Sequence, residues 1–310
     1  MHKVCISEAR QGLKVRGQYG EEKMNYLRRV WTILWKSGTF MLIWALLLAA
    51  FIVPLGPTLA DWEKSSPLRA RLFFDIVGVA TTLAATWLAV RFVDRRTILS
   101  IGLGPTNFWR GAVAGAIVGT LWLALSVVSA WAAGWVAAQA LTQLSGLVLL
   151  GAAASVMLNV LAQQLLLCGY IFQVIRRETN IGLAVGLSAL LFVGYHAGAF
   201  TDGWLSVVNV FLAGVLFCLA RVVTGSLWFP VFIHFAWNFL LGPVLGLTVS
   251  GSSRLASGWQ VLTVTGPDLW TGGQFGLEGG LLVTLTTGFG ILAMALIWTR
   301  RTNTHRPISV

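Results

Sequence analysis

Two histidines lie within apolar stretches of the sequence, and each belongs to a short pattern that could do chemistry. His196 closes a Phe-x-x-x-His pattern that begins at Phe192, and His234 opens a His-x-x-x-Asn pattern that ends at Asn238. Residues four apart share one face of an α-helix, so His234 and Asn238 would present an imidazole and a carboxamide together. An imidazole can transfer protons or bind a metal ion. The two patterns, on separate segments, therefore indicate one convergent polar pocket.

A pair of glutamines, Gln163 and Gln164, stands in a third apolar stretch, LAQQLLLCGY. Ser155, Asn159 and Gln163 recur every four residues and would form one polar stripe on a helix, and Cys168 follows Gln164 at the same spacing. Polar groups at membrane depth often hydrogen-bond across pairs of helices, and this interpretation is favoured for Ser155 and Asn159. For the two glutamines, a place in the pocket is favoured.

The composition indicates a polytopic membrane protein that must position these side chains on spanning helices. Of its 310 residues, 56% are hydrophobic and 11% are charged, whereas a soluble domain has about 25% charged residues. A spanning helix needs about 20 apolar residues. Eight stretches of this kind are predicted, at 37–57, 72–93, 109–133, 147–172, 181–200, 203–223, 226–249 and 278–299.

The distribution of basic residues predicts the orientation of these helices. With eight spans, only four of the 22 Lys and Arg residues fall on one side, namely Lys64, Arg69, Arg71 and Arg254. Since cytoplasmic loops carry the excess of Lys and Arg, both termini are predicted to be cytoplasmic. The net charge of +11 does not indicate a nucleic-acid partner, because the basic residues cluster at the ends of apolar runs.

The chain is predicted to divide into four parts. Residues 1–36 form a basic cytoplasmic tail, 37–140 the N-terminal transmembrane helices, 141–300 the core with the polar motifs, and 301–310 a second cytoplasmic tail. Apolar residues at helical spacing over 27–35 have two interpretations. They form either an amphipathic helix on anionic lipid or an extension of the first span.

The order of the motifs resembles the CPBP family, which comprises type II CAAX prenyl endopeptidases and bacterial Abi relatives. The family's first motif, Glu-Glu-x-x-x-Arg, corresponds here to Gln163-Gln164-Leu165-Leu166-Leu167-Cys168, and the stretch TGSLWFPVFIHFAWNF at 224–239 is similar to the approach to its last motif. The likeness covers about 155–282. It implies an all-α integral membrane protein of about eight transmembrane helices with a CPBP-type core, in a bacterial plasma membrane.

The resemblance also implies an intramembrane metalloprotease site. In the family a glutamate activates water, while the histidines and the asparagine orient the water, bind zinc or stabilise the oxyanion. The candidate catalytic positions here are Gln163, Gln164, His196, His234 and Asn238. A carboxamide cannot accept a proton near neutral pH as a carboxylate does. Two histidines and an amide would hold zinc poorly, so zinc, although expected from the family, is doubtful and no metal ligand is assigned.

Three other side chains are candidates to replace the missing base. Asp75 is interpreted as the partner of Arg71 one turn away, and Glu278 as a carboxylate favoured at the start of the last helix. Nothing near Cys168 in the sequence indicates the lowered thiol pKa of a nucleophile.

The hypothesis favoured by the sequence is therefore a degenerate family member whose pocket persists while proteolysis is weak or absent. Its expected partners are membrane lipid and a hydrophobic peptide, a prenylated peptide or a membrane protein, with no nucleic acid. Two alternatives stay open. One is an active endopeptidase with altered catalytic groups, and the other is a transporter or channel.

Overall fold

The computed structural model describes residues 2–139, 145–200, 203–253 and 261–304, so Arg254 lies outside the described residues. The helices in this part of the chain are α1 (His2–Ser65), α2 (Pro67–Leu88), α3 (Phe108–Ala132), α4 (Gly146–Gln164), α5 (Phe172–Glu178), α6 (Ile181–Tyr195), α7 (Trp204–Thr224), α8 (Trp228–Phe239), α9 (Asp268–Thr271) and α10 (Leu281–Thr304). Strands β1 (Val136–Ala138) and β2 (Leu262–Val264) form a small antiparallel pair. The all-α, polytopic fold class is confirmed.

Six helical stretches of the described residues are long and apolar enough to cross a membrane. They correspond to six of the eight predicted spans. The other two, predicted at 181–200 and 226–249, correspond to the shorter apolar helices Ile181–Tyr195 and Trp228–Val244. The second of these includes a π-helical end, Leu240–Val244, and another π-helical stretch, Leu165–Ile171, joins α4 to α5. The wider turn of this stretch changes the face on which Cys168 lies, so the α-helical spacing from Gln164 does not hold there.

Contacts at the ends of the helices agree with an alternating direction of the eight segments. At one end, the Asp94 carboxylate accepts from Lys36 Nζ (2.6 Å) and from Arg177 Nη1 (2.9 Å). At the same predicted side, Arg301 Nη1 donates to the Val223 carbonyl oxygen (2.6 Å). At the opposite end, β1 after α3 pairs with β2 before α10. These contacts thus join parts of the chain that the sequence analysis assigns to the same side of the membrane.

Helix α1 continues without a break through 27–35 into the first span. Leu27, Trp31 and Leu34 are exposed on it. The backbone therefore agrees with an extension of the first span, and the placement of this segment at a lipid surface stays a prediction.

A stripe of glycines holds α3 tightly against α8, the helix that carries His234. Gly111, Gly115 and Gly119 recur every four residues, and a Cβ at Gly115 or Gly119 would lie 2.5 Å or 2.4 Å from a backbone oxygen of α8. Small residues at this spacing allow close approach of membrane helices. The stripe therefore fixes the depth and rotation of α8.

A glycine-dense loop between β2 and α10 folds back against the bundle. Gly272 has φ +82°, and a Cβ there would lie 1.9 Å from the Gly276 carbonyl oxygen, so only glycine fits this turn. From α7, Asn209 Nδ2 donates to the carbonyl oxygens of Glu278 (2.8 Å) and Gly280 (2.9 Å). These bonds position the Glu278 side chain beside the histidines.

Candidate functional site

His234 is held between two carboxamides in the interior of the bundle. Its Nδ1 lies 3.2 Å from Gln164 Nε2, and its Nε2 lies 3.1 Å from Asn238 Nδ2. Phe217 of α7 stacks on the imidazole with 4.6 Å between ring centroids. The spacing of His234 and Asn238 on α8 and the position of Gln164 at the end of α4 bring these three predicted residues together.

The hydrogen-bonding capacity of His234 is used up by these neighbours. A neutral imidazole has one N–H and one lone pair, so one carboxamide donates to the ring and the other accepts from it. Among the described residues, Gln164 Oε1 is a buried oxygen with no other partner. Since both carboxamide nitrogens face the ring, one amide must be turned by about 180°; turning that of Gln164 lets its Oε1 accept from Nδ1–H while Asn238 Nδ2 donates to Nε2. His234 then has no lone pair left for a metal or a substrate.

His196 approaches the same place from the end of α6, which stops at Tyr195. Its Nδ1 lies 2.9 Å from the Phe192 carbonyl oxygen, which can only accept, so Nδ1 carries the proton. In the neutral ring, Nε2 keeps its lone pair. His196, His234 and Asn238 all line one cavity of about 30 Å³, which is room for one or two water molecules.

Glu278 also lines this cavity, and the interpretation of it as the start of the last helix is wrong. It lies in a one-turn 3₁₀ helix, Leu277–Gly279, before α10 begins at Leu281. Its carboxylate accepts from Trp237 Nε1 (2.7 Å) and from the backbone N–H of Ser250. Burial raises the pKa of the Glu278 carboxyl above its ordinary value, and the hydrogen bonds from Ser250 and Trp237 oppose that effect.

Gln163 belongs to a second polar network rather than to the histidine cavity. Its Nε2 donates to Asn159 Oδ1 (2.6 Å), and Asn159 Nδ2 donates to Asp75 Oδ1 (3.0 Å). Asp75 also accepts from Arg71 Nε (3.0 Å) and from the Ser155 hydroxyl. The structure contains the local Arg71–Asp75 pair inferred from the sequence. Ser155 and Asn159 hydrogen-bond from α4 to Asp75 on α2, which is the helix-bridging role expected for them.

Cys168 lies away from the histidines, against α7. Its Sγ is 3.2 Å from Cys218 Sγ, and both thiols are buried. On the same helix, the guanidinium of Arg221 is buried and donates to the Ile101 carbonyl oxygen (3.0 Å). Position 168, in the π-helical stretch after α4, thus carries a buried thiol, and a buried arginine stands on α7.

The side chains at this site do not fit a zinc ion. A catalytic zinc site uses three protein ligands drawn from imidazole, thiolate and carboxylate groups. Among the described residues no three His, Cys, Asp or Glu side chains are grouped to hold a metal. Both ring nitrogens of His234 already face carboxamides, and His196 Nδ1 faces the Phe192 carbonyl oxygen. Of the two imidazoles, only His196 thus has a nitrogen, Nε2, that could bind a metal.

Comparison with known families agrees with the motif order. Residues 145–240 match the family model described as type II CAAX prenyl endopeptidase Rce1-like. The match runs from α4 to the end of α8 and contains all five candidate catalytic positions, while the Glu278 loop and α1–α3 lie outside it. No curated protein and no solved structure matches the chain. The protein is an integral membrane protein, and its residues 145–240 are similar to this family.

Proposed function

We propose that this protein is a degenerate CPBP-family member that binds a hydrophobic or prenylated peptide, or a membrane partner, with little or no proteolysis. The observation that carries the proposal is the pair of carboxamides, Gln164 and Asn238, that occupy both ring nitrogens of His234. A lost general base lowers the rate by about 10²–10⁴-fold. Gln164 keeps the shape of the pocket and satisfies the imidazole without supplying that base.

A larger cavity beside the glutamines supports a binding role. It has a volume of about 380 Å³ and lies between α1, α2 and α4, within the range of small-molecule pockets. Leu48, Phe74 and Leu166 supply apolar wall, and Arg71 and Asp75 supply a polar end. An isoprenoid or aliphatic chain with a polar terminus matches this lining.

Photo-crosslinking tests the proposal directly. The purified protein, in vesicles, would be given a farnesylated peptide with a photoreactive prenyl group, and crosslinking and cleavage would be followed in parallel. Gly78 lines the cavity, and a side chain there would enter open space. Gly78→Leu is expected to lower crosslinking several-fold, whereas Gly288→Leu, at an equally open position on α10, should leave it unchanged. Cleavage that His196→Ala abolishes would refute the proposal.

The localisation proposed with this function is a bacterial plasma membrane with both termini cytoplasmic. The alternation of the eight segments and the charge distribution support it. Single cysteines introduced at Ala137, in β1, and at Asn303, near the end of α10, should be labelled from opposite sides of sealed spheroplasts. Labelling of both from one side would contradict the eight-segment topology.

Glu278 favours a second candidate, an endopeptidase with a relocated base. Its carboxylate lines the water-sized cavity together with His196 and His234. In this scheme Glu278 takes a proton from water as the water oxygen bonds to a peptide carbonyl carbon. The peptide C–N bond then breaks as Glu278 passes the proton to the leaving amine. Peptide cleavage by the unmodified protein, lost in Glu278→Gln while the unfolding temperature is maintained, would favour this candidate over the first.

A further inference from the structure

Two buried hydrogen-bond donors line the cavity of the histidines from helices that lie outside the family match. Trp122 of α3 and Thr287 of α10 both line this cavity of about 30 Å³, together with His196 and Glu278. Trp122 is 9% exposed and Thr287 is fully buried. Among the described residues, neither Trp122 Nε1 nor Thr287 Oγ1 has a hydrogen-bond partner. A donor left unpaired in the interior is costly, so a ligand that brings an acceptor would be stabilised here.

Packing holds the two donors on adjoining helices. Trp122 lies against Trp237 of α8, with 3.8 Å between ring centroids. One turn further along α3, the Ser126 hydroxyl oxygen lies 2.9 Å from the Thr286 hydroxyl oxygen of α10, and Thr287 is the next residue. Both side chains are therefore positioned by contacts that leave Trp122 Nε1 and Thr287 Oγ1 unused.

Hydrogen-bond acceptors also line the cavity. His196 Nε2 keeps its lone pair in the neutral ring, because Nδ1 carries the proton. The Glu278 carboxylate accepts from Trp237 Nε1 (2.7 Å) and from the backbone N–H of Ser250, and it has lone pairs left for other donors. A ligand carboxylate would meet Glu278 as a like charge, and an ammonium group would leave Trp122 Nε1 without an acceptor. An amide, whose carbonyl oxygen accepts and whose N–H donates, complements both sets of groups.

The size and the position of the cavity agree with an amide. It has room for one or two water molecules, which is about the space of the oxygen and nitrogen atoms of one amide group. The larger cavity of about 380 Å³ shares a wall with it, because Tyr195, the last residue of α6, lines the larger cavity and His196 lines the smaller. A prenyl or aliphatic chain in the larger cavity would therefore place the amides next to that chain near the two donors.

We infer that the smaller cavity binds one amide group of a peptide ligand, with the carbonyl oxygen accepting from Trp122 Nε1 and Thr287 Oγ1. The amide N–H donates to His196 Nε2 or to the Glu278 carboxylate. The inference rests on the proposed function, because it takes the ligand of the larger cavity to be a peptide with an apolar chain. It adds the two residues that recognise the peptide backbone, and it holds whether or not the amide is cleaved.

Titration of the photoreactive farnesylated peptide against the full-length protein in vesicles tests the inference, with half-saturation of crosslinking as the measure of affinity. Trp122→Phe removes the N–H and keeps an aromatic ring, and Thr287→Val removes the hydroxyl and keeps the shape. Each change should weaken binding about fivefold. Two matched controls should leave the affinity unchanged, because neither Trp228 nor Thr86 is among the residues that line the cavity. Trp228→Phe removes another buried N–H that lacks a partner among the described residues, and Thr86→Val removes a hydroxyl that bonds to its own helix.

Peptides with a single amide replaced by an ester separate recognition from a structural effect, because the ester carbonyl is a weaker acceptor and the N–H is lost. At the position that lies in the cavity, the ester should weaken binding to the unmodified protein, and Trp122→Phe should then weaken it further by less than about twofold. A purely structural role of Trp122 would give the same factor with every probe.

The results that would overturn the inference differ from those that would overturn the proposed function. Unchanged affinity in both Trp122→Phe and Thr287→Val, or the same loss with the amide and with every ester probe, would overturn the inference and leave the proposed function standing. No crosslinking of any probe to the unmodified protein would instead refute the proposed function, and the inference with it. If Trp122→Phe fails to fold, Thr287→Val, on a different helix, decides the question with the same probes.

Discussion

Asp75 is a buried carboxylate at membrane depth, and its replacement distinguishes a structural network from a transport site. Asp75→Ala removes the acceptor of three side chains, Arg71, Ser155 and Asn159. If the carboxylate mainly joins α2 to α4, the variant should unfold at a much lower temperature. If Asp75 instead serves as a binding group on a transport path, the fold should tolerate its loss.

The loss of stability expected for Asp75→Ala can be estimated from how exposed each of the three donors is. The Arg71 side chain is 29% exposed, so its ion pair contributes at most about 1 kcal/mol. Ser155 is fully buried, and an unpartnered buried donor costs about 1–3 kcal/mol. Asn159 lines the larger cavity, where water can replace the lost acceptor, so its cost is about 0–1 kcal/mol. The total is roughly 1–5 kcal/mol, or an unfolding temperature lower by about 2–20 °C.

Scanning fluorimetry in a mild detergent measures this change, with the 15 tryptophans as the signal. Asp61→Ala, at an exposed position on α1, is the matched control and should leave the unfolding temperature within about 2 °C, since exposed substitutions usually change stability little. Ser155→Ala combined with Asp75→Ala should cost less than the sum of the two single changes, because the two residues share one hydrogen bond. An Asp75→Ala protein as stable as the control would refute the structural role of the network.

Three further predictions concern other parts of the structure. Burial raises the pKa of Glu278, so between the unfolded-state pKa and this higher folded-state pKa the folded protein keeps a proton that the unfolded chain releases. The free energy of unfolding therefore falls as pH rises through this range, and Glu278→Gln should remove this part of the pH dependence of the unfolding temperature. Gly119→Ala should destabilise the protein by about 1–3 kcal/mol, whereas Gly288→Ala, with open space around it, should be neutral or slightly stabilising in the same denaturation assay. Cys168→Arg should reduce the folded yield on size-exclusion chromatography, because a second buried cation would be placed near Arg221; a normal yield would contradict this.

The positions of the helices and the alignment of His234 with Asn238 could be predicted because local periodicity determines them. Long apolar runs define spanning helices, and a spacing of four within α8 aligns His234 with Asn238 whatever the rest of the chain does. The π-helical stretch after Gln164 could not be predicted in this way. A shift from i→i+4 to i→i+5 hydrogen bonds depends on packing against neighbouring helices, and it moved Cys168 from the face that an α-helix would give it.

Glu278 was missed although the sequence contained a usable signal. The stretch TGGQFGLEGG places five glycines around the glutamate, and such a density predicts turns rather than the first turn of a helix. The long apolar run that follows Glu278 indicated a helix, and Glu278 was therefore interpreted as a carboxylate at its start. The glycine stripe on α3 was missed for a related reason. Its function depends on α8, which is more than a hundred residues away along the chain.

The neutrality of the His234 cluster has a physical consequence for function. A glutamate at position 164 would favour a protonated imidazole, and two buried ions cost several kcal/mol each in desolvation. A carboxamide can donate or accept, so Gln164 satisfies His234 in its neutral form and leaves the cluster uncharged. Such a cluster keeps its shape while the local pH changes, as a binding surface requires, and it is a poor proton acceptor. Any hydrolysis at this site would therefore depend on His196 and Glu278, the two titratable groups of the cavity that this neutral arrangement leaves able to accept a proton.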